Sequence, residues 1–329
     1  MNVAILGAGA WGTALAISLS VRHRVTLWTI EAEQVAAMSA SRSNQRYLPE
    51  MPLPQELLIT ADLDAALADA GLVLVAAPTS ALRTILRQVA QWPAPVPVIW
   101  ACKGFEADTA QLPHQVAEEI LPQTFPRGVL SGPSFALEVA RGLPTALTLA
   151  SGDGEFARQA AQSLLHPRLR IYSSTDVAGV EVGGAVKNVL AIAAGISDGM
   201  GFGHNARAAL ITRGLAEMTR LGLKLGGRAE TLGGLTGAGD LILTCTGDLS
   251  RNRKVGMLLA QQQSLPDILH QLGHVAEGVY TVREVHQLAL RLGVEMPICE
   301  AVYRVLYQQV PAASAVEALL SRAPNSEFN

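Results

Sequence analysis

The stretch Asn2-Val3-Ala4-Ile5-Leu6-Gly7-Ala8-Gly9-Ala10-Trp11-Gly12 decides the fold of this 329-residue chain. Its apolar first half predicts a short buried strand, and the glycines behind that strand have the spacing G-x-G-x-x-G. In this spacing Gly7 permits a tight turn, Gly9 lets the backbone approach a pyrophosphate, and Gly12 lets the following helix pack against the strand. The N–H groups at the helix start then face the anion. Because a second strand-like run, Arg24-Val25-Thr26-Leu27-Trp28, follows the helical stretch, we expect a nicotinamide or flavin dinucleotide site rather than a chance turn.

Length and composition describe a globular protein of about two domains. Hydrophobic residues make up 49% of the chain and charged residues 16%, which argues against disorder. The net charge of −3 gives no reason to expect nucleic acid or an anionic membrane surface as a partner. The most apolar stretch, Val182 to Ile196, is short and interrupted by Lys187, so we expect no membrane span.

The cysteines and the N-terminus indicate a cytoplasmic protein. Cys102, Cys245 and Cys299 are odd in number and far apart, and no C-x-x-C is present, so neither a disulfide framework nor a metal site is expected. The first residues form the predicted strand itself, without a basic segment or a cleavage site that would direct secretion.

Apolar strand-like runs alternate with helical stretches in the first half of the chain, which predicts a parallel sheet flanked by helices. From Gly179 onward the patterns are almost exclusively helical. We therefore expect an N-terminal Rossmann-type doubly wound α/β domain at residues 1–178, an all-helical C-terminal domain at 179–329, and the active site between them. The polar segment between Ser39 and Thr60 is predicted to be a loop beside the nucleotide. The predicted strands are Val3–Gly7, Val25–Trp28, Gly71–Ala76, Val98–Cys102, Gly128–Ser131 and Leu147–Ser151. The predicted helices include Val180–Ile196, Ala206–Leu221, Val255–Gln262, Thr281–Leu292 and Ile298–Tyr307.

Lys187 is the first candidate for chemistry, because it interrupts the apolar helix from Gly183 to Gly195. A helix that is apolar all round is buried, and a buried lysine must be paired or must lose its proton more easily. Such a lysine can exchange a proton with a developing alkoxide near neutral pH. The plainer alternative is a side chain that extends to the surface. Asp240, behind glycines and ahead of an apolar run, is either the partner of Lys187 or only a helix cap.

Three further segments offer cations or backbone amides to an anion. Ser250-Arg251-Asn252-Arg253-Lys254 is a basic turn ahead of a helix, a combination that suits phosphate but is often merely solvated. Lys103 lies at the end of a predicted strand, where a parallel sheet presents residues to a ligand, although it is also compatible with a solvated loop. Gly132-Pro133-Ser134-Phe135-Ala136 follows another strand and is either a cofactor-binding loop or a turn.

Taken together, these segments resemble the bacterial-type NAD(P)-dependent glycerol-3-phosphate dehydrogenases. The likeness covers nearly the whole chain, and its longest motif is the segment from Gly184 to Gly195. The shorter motifs, which occur in the family's order, are Ser131-Gly132-Pro133-Ser134-Phe135-Ala136, Ala209-Leu210-Ile211-Thr212-Arg213-Gly214, Gly239-Asp240-Leu241, Ser250-Arg251-Asn252-Arg253 and Glu277-Gly278.

The resemblance implies reversible hydride transfer between sn-glycerol 3-phosphate and dihydroxyacetone phosphate, which supplies glycerol 3-phosphate for phospholipids, with NADP or NAD as the cofactor. It implies that Lys187 accepts the proton of the substrate hydroxyl, with Asp240 beside it as the second catalytic residue. The implied substrate-binding residues are Lys103, Gly132, Ser134, Lys187, Asp240, Ser250, Arg251 and Asn252. The implied cofactor-binding residues are Gly7, Gly9, Ala10, Trp11, Gly12, Lys103, Ala136, Arg251, Val275 and Glu277.

The choice between NAD and NADP stays open on the sequence. Thr29-Ile30-Glu31, just past the second predicted strand, offers neither an aspartate for the ribose 2′-hydroxyl nor an arginine for a 2′-phosphate. Glu31 is a weak candidate for the first interaction, and Arg42 or Arg46 for the second.

Two alternative functions are compatible with a dinucleotide fold. Dehydrogenases of the β-hydroxyacid and 6-phosphogluconate type place an asparagine four residues after the catalytic lysine, whereas this chain has Ala191 there and Asn188 directly after Lys187. A nicotinamide-sensing binding protein would need neither a buried Lys187 nor a cationic turn. From the apolar faces of the helical half we also expect a homodimer.

Overall fold

The computed structural model describes residues 1–273 and 276–322, which fold into an α/β part followed by an all-helical part. This architecture confirms the predicted fold class. The strands are β1 (Asn2–Leu6), β2 (Arg24–Trp28), β3 (Ser43–Asn44), β4 (Leu48–Pro52), β5 (Leu58–Thr60), β6 (Leu72–Val75), β7 (Val98–Trp100), β8 (Arg127–Ser131), β9 (Thr145–Ala150) and β10 (Leu169–Ser174).

Eight of these strands form one sheet in the order β10-β9-β8-β7-β6-β1-β2-β5, and β3 pairs with β4 in a separate antiparallel hairpin. The chain builds outward from β1 to β2 and β5 on one side, and then to β6 and β7 on the other. This reversal makes the carboxyl end of β1 the topological switch point, where an open α/β sheet binds its ligand. The glycine loop follows β1 directly at this point.

All six predicted strands are present, with ends that differ by no more than two residues from the expected ones. The prediction of a parallel sheet is wrong at one pair of strands, because β9 runs antiparallel to β8. The reason is the short helix between them, which spans only Ala136–Ala140 and does not carry the chain back to the opposite end of the sheet. Strand β9 therefore starts at the end where β8 stops.

The segment between Ser39 and Thr60 is more ordered than the predicted loop, because it contains the β3–β4 hairpin and the edge strand β5. Strand β10 was likewise not predicted. Its burial pattern mixes buried and exposed residues, and Arg170, Tyr172 and Ser173 are exposed. Half-exposed strands at the edge of a sheet lack the continuous apolar run by which the central strands were recognised.

The helices that flank the sheet are α1 (Ala10–Leu19), α2 (Ala32–Ser41), α3 (Leu63–Leu67), α4 (Thr79–Ala90), α5 (Pro113–Ile120), α6 (Ala136–Ala140) and α7 (Gly154–Leu164). The helices of the second part are α8 (Val177–Gly199), α9 (Gly203–Lys224), α10 (Ala229–Leu232), α11 (Asp240–Thr246), α12 (Arg251–Ala260), α13 (Leu265–Leu272), α14 (Glu277–Leu292), α15 (Pro297–Tyr307) and α16 (Ala312–Leu320). A π-helical turn, Leu235–Gly239, leads into α11. The five predicted helices of this part are all present.

Helix α8 is the central element of the helical part. It has 23 residues and is long and apolar enough to cross a membrane, but 89% of its most apolar window is buried inside the protein. It is therefore packed as the core helix of a folded domain. Asp176 caps its start by accepting hydrogen bonds from the backbone N–H of Gly179 at 2.9 Å and of Arg228 at 2.8 Å. The predicted division between residues 178 and 179 falls in the first turn of this helix and stays a prediction.

A buried carboxylate joins α8 to the sheet. Glu181 accepts a hydrogen bond from Trp100 Nε1 at 2.7 Å and one from the backbone N–H of His114 at 3.0 Å. The ring of His114 contacts the same carboxylate through Nδ1 at 2.6 Å. Burial raises the pKa of the Glu181 carboxyl, and these three contacts oppose that shift. The contacts fix the N-terminal half of α8 over the ends of the central strands.

Glycines let α12 approach α8 backbone to backbone. A Cβ on Gly256 would lie 2.0 Å from the carbonyl oxygen of Ile192, and one on Gly195 would lie 2.0 Å from that of Arg253. No other residue type fits either position without moving a helix. The close crossing sets where the start of α12, with Arg251, lies relative to α8.

We expect Gly256→Ala to lower the free energy of unfolding by about 1–3 kcal/mol, as overpacking of a core does. The sign is informative, because alanine in a helix interior is otherwise favoured over glycine by roughly 0.5–1 kcal/mol. Urea unfolding followed by circular dichroism measures the change. Gly152→Ala is the matched control, since a Cβ there would meet nothing within 4 Å. Equal stability of the two variants would contradict the close crossing.

Candidate active site

The N-terminal half of α8 passes directly over the ends of β7 and β8. A Cβ on Gly184 would lie 3.0 Å from Ser131 Oγ and 3.4 Å from Lys103 Cγ, and one on Gly183 would lie 2.5 Å from the carbonyl oxygen of Thr236. The two glycines thus bring the helix against both the strand ends and the π-helical turn. Residues of the sheet, α8 and α11 meet in one buried cluster.

The centre of this cluster is the carboxylate of Asp240, which is fully buried. Its Oδ1 accepts a hydrogen bond from Lys187 Nζ at 2.5 Å, and its Oδ2 accepts one from Lys103 Nζ at 2.7 Å. The expected pair of Lys187 and Asp240 is therefore present, and Lys187 does not extend to the surface. Lys103 also donates to the carbonyl oxygen of Gly132 at 3.1 Å. Because two cations share one carboxylate, the cluster keeps a positive charge that an anion can neutralise.

Lys187 titrates far below an ordinary lysine, with its pKa lowered to about 8. The main cause is burial, which disfavours the ammonium form, and the positive charge of Lys103 lowers the pKa further. The carboxylate of Asp240 acts in the opposite direction and keeps the pKa from falling more. A buried amine with a pKa near 8 can both give and take a proton at physiological pH.

Sequence reasoning missed two hydroxyl groups of this cluster. Thr244 Oγ1 accepts a hydrogen bond from Lys187 Nζ at 3.0 Å, and it donates to the backbone carbonyl of Asp240 at 2.6 Å. Its position four residues after Asp240, one turn on in the same helix, was the available signal. Ser131 Oγ is buried beside Lys103 and has no hydrogen-bond partner within residues 1–273 and 276–322. No spacing in the sequence points to Ser131.

The basic turn of the sequence divides into structural and accessible residues. Ser250 caps α12 by accepting the Arg253 backbone N–H at 3.2 Å, and Arg253 donates to Asp198 at 2.6 Å and to Asp248 at 3.0 Å. Arg253 is thereby used to hold α12. Arg251, the first residue of the helix, is exposed. The accessible guanidinium of the turn is thus Arg251.

Asn252 joins three helices. Its Nδ2 donates to Asn188 Oδ1 on α8 at 2.9 Å, and its Oδ1 accepts the backbone N–H of Gly278 on α14 at 3.1 Å. A Cβ on Gly278 would lie 2.6 Å from the carbonyl oxygen of Asn188, so the three helices touch at this point.

Burial raises the pKa of the neighbouring Glu277 carboxyl. The positive charges of Arg251, Lys103 and Lys187 oppose this shift, in that order. Glu277 therefore lies within electrostatic reach of these three cations.

The glycine loop has the geometry that a dinucleotide needs. Gly7 has φ +119°, and a Cβ on Gly12 would lie 1.9 Å from the Gly7 carbonyl oxygen, so both positions require glycine. A Cβ on Gly9 would meet nothing within 4 Å, and no side chain caps the start of α1. Trp11 Nε1 is buried beside this loop without a hydrogen-bond partner in the described part of the chain. Open space, free amides and an unpaired donor fit a pyrophosphate and its nucleotide.

The loop after β8 touches the lysine cluster, because the Gly132 carbonyl oxygen accepts a hydrogen bond from Lys103 Nζ. Gly132 has φ +136° and a Cβ there would lie 3.1 Å from Leu147 Cα, so glycine is required in this turn. Ser134 Oγ donates to the Gly132 carbonyl oxygen at 3.1 Å, and α6 starts at Ala136. Val275, also implied as a cofactor contact, lies outside the described residues. The functional roles of these positions stay predictions.

The residues expected to recognise the ribose end have definite partners. Glu31 Oε2 pairs with Arg46 Nη1 at 2.8 Å, and both side chains are about half exposed. Arg42 instead donates to the backbone carbonyls of Pro54 and Leu57. Its guanidinium therefore holds the chain ahead of β5. Of the two arginines proposed for a 2′-phosphate, Arg46 is the one at the surface.

Comparison with protein-family models gives two matches that together span most of the chain. A model described as NAD-dependent glycerol-3-phosphate dehydrogenase N-terminus matches residues 2–157, and one described as NAD-dependent glycerol-3-phosphate dehydrogenase C-terminus matches residues 176–317.

Two curated relatives and one solved structure are similar over their full lengths. The glycerol-3-phosphate dehydrogenase [NAD(P)+] of Nitrosospira multiformis is 63% identical, with 100% of both chains covered. That of Nitrosomonas europaea is 60% identical, with 99% of both covered. The crystal structure of glycerol-3-phosphate dehydrogenase from Coxiella burnetii superposes with a TM-score of 0.94 at 43% identity, covering 98% of this chain and 99% of that one.

We expect Glu31→Gln to tighten the binding of NADPH by about two- to fivefold, the range of one exposed ion pair, because the variant leaves Arg46 without its carboxylate. The affinity for NADH should stay unchanged, since that nucleotide has no 2′-phosphate. Fluorescence titration of each nucleotide measures the effect at low salt. Glu33→Gln removes the same charge two residues away. An equal gain in both variants would assign the effect to net charge instead of to Arg46.

Proposed function

The chain belongs to the NAD-dependent glycerol-3-phosphate dehydrogenase family, and on that premise we propose that it interconverts sn-glycerol 3-phosphate and dihydroxyacetone phosphate with NAD or NADP as cofactor. The observation that carries the proposal is the buried carboxylate of Asp240 with its two lysines, Lys187 and Lys103. Arg251, at the start of α12, adds an accessible cation. A phosphorylated ketose brings a dianion and a carbonyl group. The cluster offers a surplus positive charge for the first and a proton for the second.

Lys187 is the proton donor in ketone reduction and the proton acceptor in alcohol oxidation. A nicotinamide held by the glycine loop would supply or take the hydride. As the carbonyl is reduced, negative charge builds on its oxygen, and a nearby ammonium stabilises that charge and then protonates it. Asp240 and Thr244 hold Nζ of Lys187 from two sides at 2.5 and 3.0 Å, so the amine has a fixed direction. The reverse reaction needs the neutral amine, which the lowered pKa supplies.

The substrate phosphate binds to Lys103 and Arg251. Lys103 is half-buried at the end of β7, and Arg251 starts α12, where the helix N-terminus adds to the attraction of an anion. Asn252 and Ser250 hold the start of α12 in place beside them. Gly132 and Ser134 contribute their loop on the sheet side.

The nucleotide binds along the glycine loop. The residues that would hold it there are Gly7, Gly9, Ala10, Trp11 and Gly12, with the pyrophosphate against the N–H groups at the start of α1. Ala136, Glu277 and the two cations Lys103 and Arg251 would face the nicotinamide end, and Val275 is proposed from the family resemblance alone.

The alternative functions are less well supported by the arrangement of side chains. A dehydrogenase of the β-hydroxyacid type uses an asparagine one turn after its lysine, whereas Ala191 is at that position and Asn188 is engaged with Asn252. A protein that only senses the nucleotide has no need for a buried lysine that is paired with a carboxylate and has a pKa of about 8.

The cellular setting follows from the reaction. The product glycerol 3-phosphate is the backbone of phospholipids, and the three cysteines are buried free thiols, as in a cytoplasmic protein.

A homodimer would cover the apolar groove of about 1370 Å³ between α9, α15 and α16, which includes Phe202 and Leu320 at its rim. Light scattering after gel filtration measures the mass, and cell fractionation measures the location.

We expect the purified protein to oxidise NADH or NADPH with dihydroxyacetone phosphate and not with unphosphorylated dihydroxyacetone.

Arg251→Ala should raise the KM for dihydroxyacetone phosphate by about ten- to a hundredfold while kcat changes little. The variant removes a charge-assisted hydrogen bond of about 1.5–3 kcal/mol that is made equally in the ground state and the transition state. Lys254→Ala is the matched control, since it removes an exposed charge of the same turn. Turnover that does not require the phosphate would contradict the substrate, and an unchanged KM would remove Arg251 from the site.

The pH dependence should follow the pKa of Lys187, which is about 8. For ketone reduction the protonated amine is the active form, so kcat/KM should be level below that pH and should fall above it; for alcohol oxidation the order is reversed. Asp240→Asn should move both limbs to lower pH, because the carboxylate raises the lysine pKa. Steady-state kcat/KM values for both directions, determined from pH 6 to 10, measure this pH dependence. Glu230→Gln, at an exposed carboxylate on α10, is the control, and a shift to higher pH in Asp240→Asn would contradict the assignment.

A further inference from the structure

The carbonyl oxygen of Ala8, between the first two glycines of the loop, is held by two side-chain amides. Asn44 Nδ2 donates to it at 2.9 Å from the β3–β4 hairpin, and Gln34 Nε2 donates to it at 2.9 Å from α2. We refer to Gln34 and Asn44 as the amide clamp. The two amides come from separate elements and converge on one oxygen atom, which neither the glycine spacing nor the helix that follows requires.

Each amide is itself held in place. Asn44 is 1% exposed and its Nδ2 also donates to Thr13 Oγ1 on α1 at 2.8 Å. Gln34 Oε1 accepts a hydrogen bond from Thr29 Oγ1 at 3.0 Å, at the end of β2. The clamp is therefore part of a chain of hydrogen bonds that runs from the end of β2 to the start of α1. Neither amide is free to turn away from the loop.

The direction of the Ala8 carbonyl fixes the direction of the Gly9 N–H. The described chain contains no cis peptide bond, and in a planar trans peptide the C=O and the N–H point in opposite directions. Gly9, on one side of this peptide, has no Cβ and so restricts its orientation less than any other residue would. With the oxygen held by the clamp, the Gly9 N–H points away from it. The space at Gly9 is open, because a Cβ there would meet nothing within 4 Å.

We propose that Asn44 and Gln34 are positioning residues for the pyrophosphate of the cofactor, which hold the Ala8–Gly9 peptide in the orientation that presents its N–H to the anion. The clamp acts before binding, so the nucleotide does not have to order the loop itself. The β3–β4 hairpin is thereby a part of the cofactor site through Asn44, although it lies outside the glycine motif.

The test is nucleotide affinity in Gln34→Met and Asn44→Ala, measured by calorimetry with ADP-ribose and by competition with adenosine, which has no phosphate. Loss of the one hydrogen bond to the Ala8 carbonyl, of about 0.5–1.5 kcal/mol, predicts a two- to twelvefold rise in the Kd of ADP-ribose in each variant. The Kd of adenosine, kcat at saturating nucleotide and the KM of dihydroxyacetone phosphate should stay within about twofold, because the clamp acts only on the loop. Asn2→Ala is the matched control, since Asn2 Nδ2 donates to a backbone carbonyl, that of Asp69, at 3.1 Å away from the loop.

Two results would overturn the proposal. An unchanged Kd of ADP-ribose in a folded variant would show that the clamp does not position the peptide. An equal loss for adenosine and ADP-ribose would make the amides a general support of the domain. If Asn44→Ala fails to fold, Gln34→Met decides alone, because Gln34 is only partly buried. Binding is measured without turnover, so the result is independent of which ketose the protein reduces.

Discussion

One buried carboxylate holds the two halves of this protein at the point where they meet. Asp240 is fully buried and accepts hydrogen bonds from Lys103, at the end of a sheet strand, and from Lys187, in the core helix α8. Removing one partner of a buried ion pair costs about 3–5 kcal/mol, because the charge left behind has neither water nor a counter-ion. The three side chains are thus tolerated in the core only together. Their mutual positions, and not those of any one of them, define the site.

Helix α8 carries the contacts that put this carboxylate in reach. Near its start, Glu181 joins the helix to β7 through Trp100. One turn later, Gly183 and Gly184 let it touch the π-helical turn and the strand ends. Further along, Gly195 lets α12, whose first residue is Arg251, pack against the backbone of α8. The glycines of this apolar helix thus permit three close approaches, which assemble the site around it.

The sequence predicted those features in which a local pattern and a physical requirement coincide. The glycine loop after β1 needs its three glycines for steric reasons, and the central strands need apolar residues on both faces, so both could be recognised. Lys187 could be singled out because a charge within an apolar helix demands a partner. The contact between Lys103 and Asp240 could not be predicted in this way, because it depends on how residues far from both bring β7 and α11 together.

Features that depend on tertiary contacts alone were missed or misinterpreted. The edge strands β5 and β10 are half exposed and lack an apolar run, and the hairpin that carries Asn44 looked like a polar loop. At the basic turn 250–254, where the sequence left phosphate binding and simple solvation open, the structure uses Ser250 as a cap and Arg253 as an anchor to Asp198. Composition cannot separate a cation that binds a ligand from one that holds a helix. The separation requires knowing which carboxylates lie within reach.

In the proposed reaction, the two lysines around Asp240 also place substrate binding and proton transfer under one electrostatic control. The charge of Lys103 lowers the pKa of Lys187, and the charge of Asp240 raises it. A phosphate dianion bound to Lys103 would offset the first of these effects, so in the proposed reaction the ammonium form of Lys187 becomes more stable when the ketose enters. An alcohol substrate carries the same phosphate and meets the same shift. In both directions of the proposed reaction, phosphate binding and the protonation state of Lys187 would therefore be coupled through Lys103.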